Sequence, residues 1–123
     1  MSKIKYLIID VDGVMTTGQF LYSKNGKSYK IFGPHDTDGL NMLRDHLNIF
    51  FVTADKKGFQ ISKRRIVKDL GYKLYLINHM KRYEFIKKFD FKKVIYIGDG
   101  FHDARILKTV KFGIAPRNAR PEA

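Results

Sequence analysis

The sequence contains no cysteine, which excludes both a disulfide framework and a thiolate metal site. It holds no apolar run near the ~20 residues that a membrane-spanning helix requires. Its N-terminus lacks the succession of basic, apolar and small residues that marks a secretory signal. These absences point to a cytoplasmic protein with no membrane partner. No linker, repeat or low-complexity segment breaks the 123 residues, so one domain over 1–123 is expected. Acidic residues are scarce, 12 against 24 basic, for a formal charge of +12. Such a field attracts anions, although scattered lysines also solvate an ordinary surface. Basic and aromatic residues do not interleave as they do in single-strand nucleic-acid platforms, so nucleic acid is not the expected partner.

What is present is a series of short apolar runs, at 4–11, 49–52, 74–77, 94–97 and 112–115. Between them, segments 39–47, 58–70, 83–89 and 103–110 carry helical spacing. Strands that alternate with helices and are apolar on both faces predict a parallel sheet covered on each side, an α/β Rossmann-like layout. One segment departs from the alternation. QFLYSKNGKSYKIF, 19–32, places two strand-prone runs around Asn25-Gly26, a strong hairpin signal. The tail 116–123, with two prolines and two arginines, reads as an exposed end.

In open α/β sheets ligands bind beyond the carboxyl ends of the strands. There the first run delivers Asp10 and Asp12 (YLIIDVDGV), the next Thr53 (FFVTADKKG), the segment after the third Lys81 (NHMKRYEF), and the fourth Asp99 and Asp103 (YIGDGFHDA). Residues two apart on extended chain share a face, so Asp10 and Asp12 can enter one cleft. Carboxylates gathered this way repel one another, and a divalent cation is the simplest neutraliser. Mg²⁺ combines one or two carboxylates with waters and a substrate phosphate, which suggests phosphoryl transfer.

In order and spacing, DVDGV, the threonine after an apolar strand, a mid-chain lysine and GDGFHD resemble the four motifs of the haloacid dehalogenase (HAD) superfamily of aspartate-nucleophile phosphatases. The resemblance is closest to its capless, 3-deoxy-D-manno-octulosonate 8-phosphate phosphatase-like branch. DVDGVMTTG, the hairpin after it, DGLNML, RRIVKDLGY, YIGDGFHDA and GIAPRNARPEA carry it over nearly the whole chain. It implies a three-layer Rossmann-like fold with a projecting hairpin and no cap domain, Mg²⁺ as cofactor, and a homotetramer acting on a small phosphorylated sugar or sugar acid. By the same resemblance Asp10 is the nucleophile and Asp12 the general acid and base. Thr53 and Lys81 hold the phosphate. Asp10, Asp12 (through its carbonyl) and Asp99 hold the metal. Asp103 orients Lys81 or the metal's waters, and Gly13 lets the backbone turn close to the phosphate. His35 and Asp38 border the substrate. The branch's usual Gly-Arg pair after the threonine is replaced by Ala54-Asp55, which leaves Lys56 and Lys57 as candidates for the arginine's role.

Other readings compete for the same residues. DxDG also opens a calcium-binding EF-hand loop, but the twelfth position, which should be acidic, is Leu21. Asp-Gly pairs are favoured in ordinary tight turns. A phosphatase for a nucleic-acid end or a phosphoprotein would use the same site, and so would a non-catalytic module that binds a phosphorylated ligand. Phe20, Tyr22, Tyr29 and Phe32 serve either to pack the hairpin on the sheet or to join subunits.

Overall fold

The computed structural model describes residues 3–33 and 36–116, without the side chains of Phe20, Ser28, Asp36 and Thr37. Five strands form a parallel sheet: β1 (Tyr6–Asp10), β4 (Asn48–Thr53), β5 (Lys73–Leu76), β6 (Val94–Ile97) and β7 (Phe112–Ile114), in the order β5-β4-β1-β6-β7. β1 pairs with β4 on one side, Asp10 opposite Val52, and with β6 on the other, Ile9 opposite Ile97. The chain therefore leaves β1 toward one edge and later crosses back to the other. That reversal opens a crevice at the carboxyl end of β1.

Side-chain alternation along the strands divides the core into two layers. Leu7, Ile9 and Phe51 pack on one face with Leu40, Ile66 and Tyr72. Ile8, Phe50, Val52 and Tyr96 pack on the other with Ile86, Ile106 and Val110. α1 (Asp36–Leu43) and α2 (Phe59–Lys63), which runs on through wider π-type turns at Arg64–Asp69, serve the first face. α3 (His79–Lys87) and α4 (Ala104–Thr109) serve the second. Sheet and layers agree with the expected Rossmann-like fold.

The expected hairpin is present as β2 (Thr16–Ser23) and β3 (Gly26–Phe32). Ser23 pairs with Gly26, so the turn itself is Lys24-Asn25, one residue before the Asn-Gly pair suggests. Gly26 follows it at φ 107°, a left-handed backbone that glycine adopts at no steric cost, and the ladder shifts register two pairs further on, between Leu21 and Tyr22. α3 begins four residues before the expected 83, because the Asn78 side chain caps it, accepting the Met80 N–H at 2.8 Å. The exposed-tail expectation for 117–123 lies outside the described residues.

Candidate active site

Asp10 ends β1, and the chain then turns through Val11–Met15. Gly13 has φ 85°, and a Cβ there would lie 1.5 Å from an Asp99 carboxylate oxygen, so only glycine fits the approach. The Thr16 hydroxyl fastens this turn by accepting the N–H groups of Gly13 and Gly18, each at 3.1 Å. Asp99 follows β6, and Asp103 stands just before α4. Carboxylate oxygens of Asp10, Asp99 and Asp103 all lie within 4.8 Å of one another. Together with Asp12 they line a cavity of about 310 Å³.

Burial pushes the Asp10 carboxyl well above its ordinary pKa. Arg82 opposes the rise, while the charges of Asp103, Asp99 and Asp12 add to it. Burial raises Asp99 as well, against its contact with Asp10 and with the help of Asp103. The cluster thus holds more negative charge than its surroundings comfortably support. All its donors are hard carboxylate oxygens, which suits a small divalent cation. The Asp12 carboxylate is not part of this cluster, which leaves the Asp12 carbonyl as the contribution that residue could make to a metal.

The cation beside these carboxylates is Arg82, and this corrects the sequence-based expectation of Lys81. Arg82 is 1% exposed, and its NH1 donates to Asp103 Oδ1 at 3.0 Å and to Tyr96 Oη at 3.3 Å, with Asp10 Oδ1 also 3.3 Å away. Burial opposes its charge, but Tyr96, Asp10 and Asp103 outweigh burial and keep it protonated. Lys81 lies on an adjacent face of α3 and lines a separate surface groove with Glu84 and Lys88. Asp103 accepts from Arg82 and from the Tyr96 hydroxyl on one oxygen and from the Gly100 N–H at 3.0 Å on the other. The orienting role expected of it therefore falls on Arg82. The Nε and NH2 groups of Arg82 are buried without a hydrogen-bond partner.

Asp12 is held from two sides. Thr53 Oγ1 donates to its Oδ2 at 3.1 Å, and Lys30 Nζ of β3 lies 2.8 Å from its Oδ1. Thr53 is fully buried and also accepts the Asp55 N–H. Lys56 and Lys57 are exposed and do not line the cavity, whereas Asp55, Lys27, His79 and His102 do. Asp38 is exposed on α1, away from the cavity lining, and His35 lies outside the described residues. His79 and His102 stack with ring centroids 4.5 Å apart. Burial, Arg82 and His102 lower the His79 pKa, against Asp103 and Asp12, so it is neutral near pH 7.

No family model matches the chain. It is similar to 3-deoxy-D-manno-octulosonate 8-phosphate phosphatase from Haemophilus influenzae, 38% identical over 82 residues, which cover 67% of this chain and 44% of that protein. The Salmonella typhi protein of the same name is 25% identical over 98% of this chain and 66% of its own length. The chain thus spans less than two thirds of these curated relatives. Among solved structures, a HAD-superfamily (subfamily III A) hydrolase from Legionella pneumophila superposes with a TM-score of 0.82 at 30% identity, covering 97% of this chain and 68% of that one. The cobalt-bound octulosonate 8-phosphate phosphatase from Haemophilus influenzae superposes with a TM-score of 0.76 at 29% identity, covering 96% and 71%. The chain belongs to the haloacid dehalogenase superfamily, in its capless octulosonate 8-phosphate phosphatase-like branch.

Proposed function

We propose that the chain is a Mg²⁺-dependent phosphomonoester hydrolase that works through an aspartyl-phosphate on a small phosphorylated sugar or sugar acid. The observation that carries this reading is Asp10 at a strand end, clustered with Asp99 and Asp103 and beside the Arg82 guanidinium, with Asp12 held by Thr53 and Lys30. Asp10 attacks phosphorus as the ester oxygen departs, and Asp12 gives that oxygen its proton. A water that Asp12 deprotonates then cleaves the acyl phosphate, releasing phosphate and restoring Asp10. Arg82, which lines the cavity beside Asp10, supplies the positive charge that the phosphoryl oxygens meet, and Asp103 and Tyr96 fix its orientation. The Thr53 hydroxyl, already on Asp12, keeps that carboxylate directed at the leaving group. Asp10, Asp99 and the Asp12 carbonyl would hold Mg²⁺, which when bound offsets the carboxylate charge and that of the phosphate.

A homotetramer is part of the same proposal. β3 turns Tyr29 and Ile31 outward, 65% and 45% exposed, and Leu21 and Tyr22 of β2 are exposed beside them. An apolar hairpin face of this kind suits contact between subunits.

The test is phosphate release from a panel of sugar phosphates, sugar-acid phosphates, nucleotides and an aryl phosphate, with Mg²⁺ and with chelator. Release that needs the metal is expected, with Asp10→Asn abolishing it and Asp12→Asn lowering it by about 10²–10⁴-fold, the scale of general acid–base catalysis. Near-normal rates in either variant would sink the mechanism.

A further inference from the structure

The two carboxyl oxygens of Asp12 stand in different surroundings. Oδ1 is sealed from solvent and lies 2.8 Å from Lys30 Nζ. Oδ2 accepts from the Thr53 hydroxyl at 3.1 Å, and Asp12 lines the cavity with its side chain 26% exposed. Oδ2 is therefore the oxygen through which Asp12 can reach a leaving group.

The Lys30 side chain is itself fully buried, although Tyr29 and Ile31 on either side of it face outward. Its ammonium lies 2.9 Å from Asp55 Oδ2, a second oxygen sealed from solvent, and donates to the Ser62 hydroxyl at 2.9 Å. The Gly58 N–H holds Asp55 in turn, donating to Oδ1 at 3.1 Å. Burying an ammonium is costly unless its surroundings answer the charge, and here oxygens from three separate segments converge on one nitrogen.

An ammonium only donates. While Lys30 fills the gap between Asp12 Oδ1 and Asp55 Oδ2, neither oxygen can carry a proton directed into it. A proton taken up by Asp12 must then sit on Oδ2, facing the cavity. Without the ammonium, two sealed carboxylates would be left across the gap, and carboxylates so placed share one proton. That proton would be held at Oδ1, turned away from the ester oxygen. Lys30 faces Oδ1 whether Asp12 is protonated or ionised, so Oδ2 is also the oxygen that takes the proton of the attacking water.

We propose that Lys30 is a positioning residue that acts through Asp12, keeping the transferred proton on Oδ2 and out of the gap toward Asp55. As the phosphorus–oxygen bond of the ester breaks, the Oδ2 proton passes to the departing oxygen, and the electron pair of the O–H bond stays on Asp12 beside Lys30. This rests on the phosphatase reading and gives the hairpin a part in its chemistry.

The test is the dependence of kcat/KM on the leaving group. 4-Nitrophenyl phosphate and benzyl phosphate each carry one aromatic ring, but nitrophenolate departs with little help from an acid, whereas the benzyl alkoxide needs a proton. With Mg²⁺, Lys30→Met should raise the ratio of kcat/KM for the nitrophenyl ester to that for the benzyl ester by about tenfold or more over wild type, a share of the about 10²–10⁴-fold that general acid–base catalysis supplies. Adding Asp55→Asn to Lys30→Met, which removes the carboxylate that would share the proton, should reverse part of that rise. In an Asp12→Asn background, where no proton is left to place, Lys30→Met should not move the ratio. Partial unfolding or a weaker hold on the hairpin lowers both rates together and leaves the ratio alone. A ratio that Lys30→Met leaves unchanged or lowers, one that it raises equally in the Asp12→Asn background, or a double variant that recovers nothing overturns the inference. Metal-dependent release from 4-nitrophenyl phosphate by the wild type judges the phosphatase reading separately, and the inference falls with that reading if no phosphate is released.

Discussion

The two sides of the cavity are assembled from different parts of the chain and balance their charge differently. The inner side rests on strand ends and on helices packed against the sheet: Asp10 closes β1, Asp99 follows β6, and Arg82, Tyr96 and Asp103 interlock beneath them. There three carboxylates cluster beside one guanidinium, which meets only Asp10 and Asp103, and burial pushes Asp10 and Asp99 upward in pKa. The outer side rests on the hairpin and the loop after β4, where Lys27 and Lys30 match Asp55 and Asp12. A surplus of buried negative charge calls for a cation from solution. A set in which each carboxylate already meets an ammonium calls for none.

The comparison breaks most sharply at Arg82. Arg82→Met should lower kcat/KM for an aryl phosphate by about 10²–10³-fold, the range seen when one preorganised donor to a developing oxyanion is lost. Lys81→Met, one residue away but in another groove, should stay within about twofold, as surface changes do. Arg82→Lys should recover part of the loss, since it restores the charge without the planar fork, and circular dichroism would confirm that each variant folds. A large loss in Lys81→Met with a small one in Arg82→Met would return the role to Lys81.

The neighbouring pair also measures how much the sequence made legible. Strand ends are readable because apolar runs stop at charged residues, and Asp10, Asp12, Thr53, Asp99 and Asp103 all lie at or beside the crevice. Helix rotation was harder to read. Lys81 with Phe85 and Arg82 with Ile86 are both i, i+4 pairs, and each gives a plausible inward face. Ile86 is the fully buried one and takes Arg82 in with it. Lys30 escaped notice for a related reason. Alternation along β3 should turn Tyr29 and Ile31 toward the protein, yet they face outward and Lys30 points in. Such an inversion of local pattern marks a position kept for a site or an interface. The partners of Asp55 come from a hairpin some 25 residues earlier, beyond any local signal.

On the outer side, removing Lys30 should have a moderate effect. Lys30→Met leaves Asp12 and Asp55 partly buried without their shared ammonium. The loss is expected near 2 kcal/mol, below the cost of breaking a fully buried pair because the Asp12 side chain is 26% exposed. Thermal melts should therefore fall by roughly 6–10 °C, and KM should rise as the hairpin loses its hold on the cavity. Arg64→Ala, which breaks the exposed pair with Asp69, is the control and should barely move the melt. Equal shifts in both would mean that Lys30 is no more than a surface charge.

The inner surplus should show in a smaller, pH-dependent effect. Asp10 and Asp99 have folded pKa values raised above the unfolded value near 3.8, so the folded chain binds protons more tightly than the unfolded one. Their contribution to stability without metal is fully present only at low pH and is lost as pH rises through the folded values. Asp55 has the opposite sign, with its share lost only as pH falls below the ordinary carboxylate range. In chelator, Asp10→Asn should therefore melt a few degrees above wild type near pH 7–8, and the gap should close on acidification as Asp10 takes up its proton. Added Mg²⁺ should stabilise the wild type more than Asp10→Asn, most strongly at neutral pH, where protons compete least for the same oxygens. A gap that instead widened on acidification would mean that Asp10 is held ionised by Arg82 and that the inner side, like the outer, is already balanced.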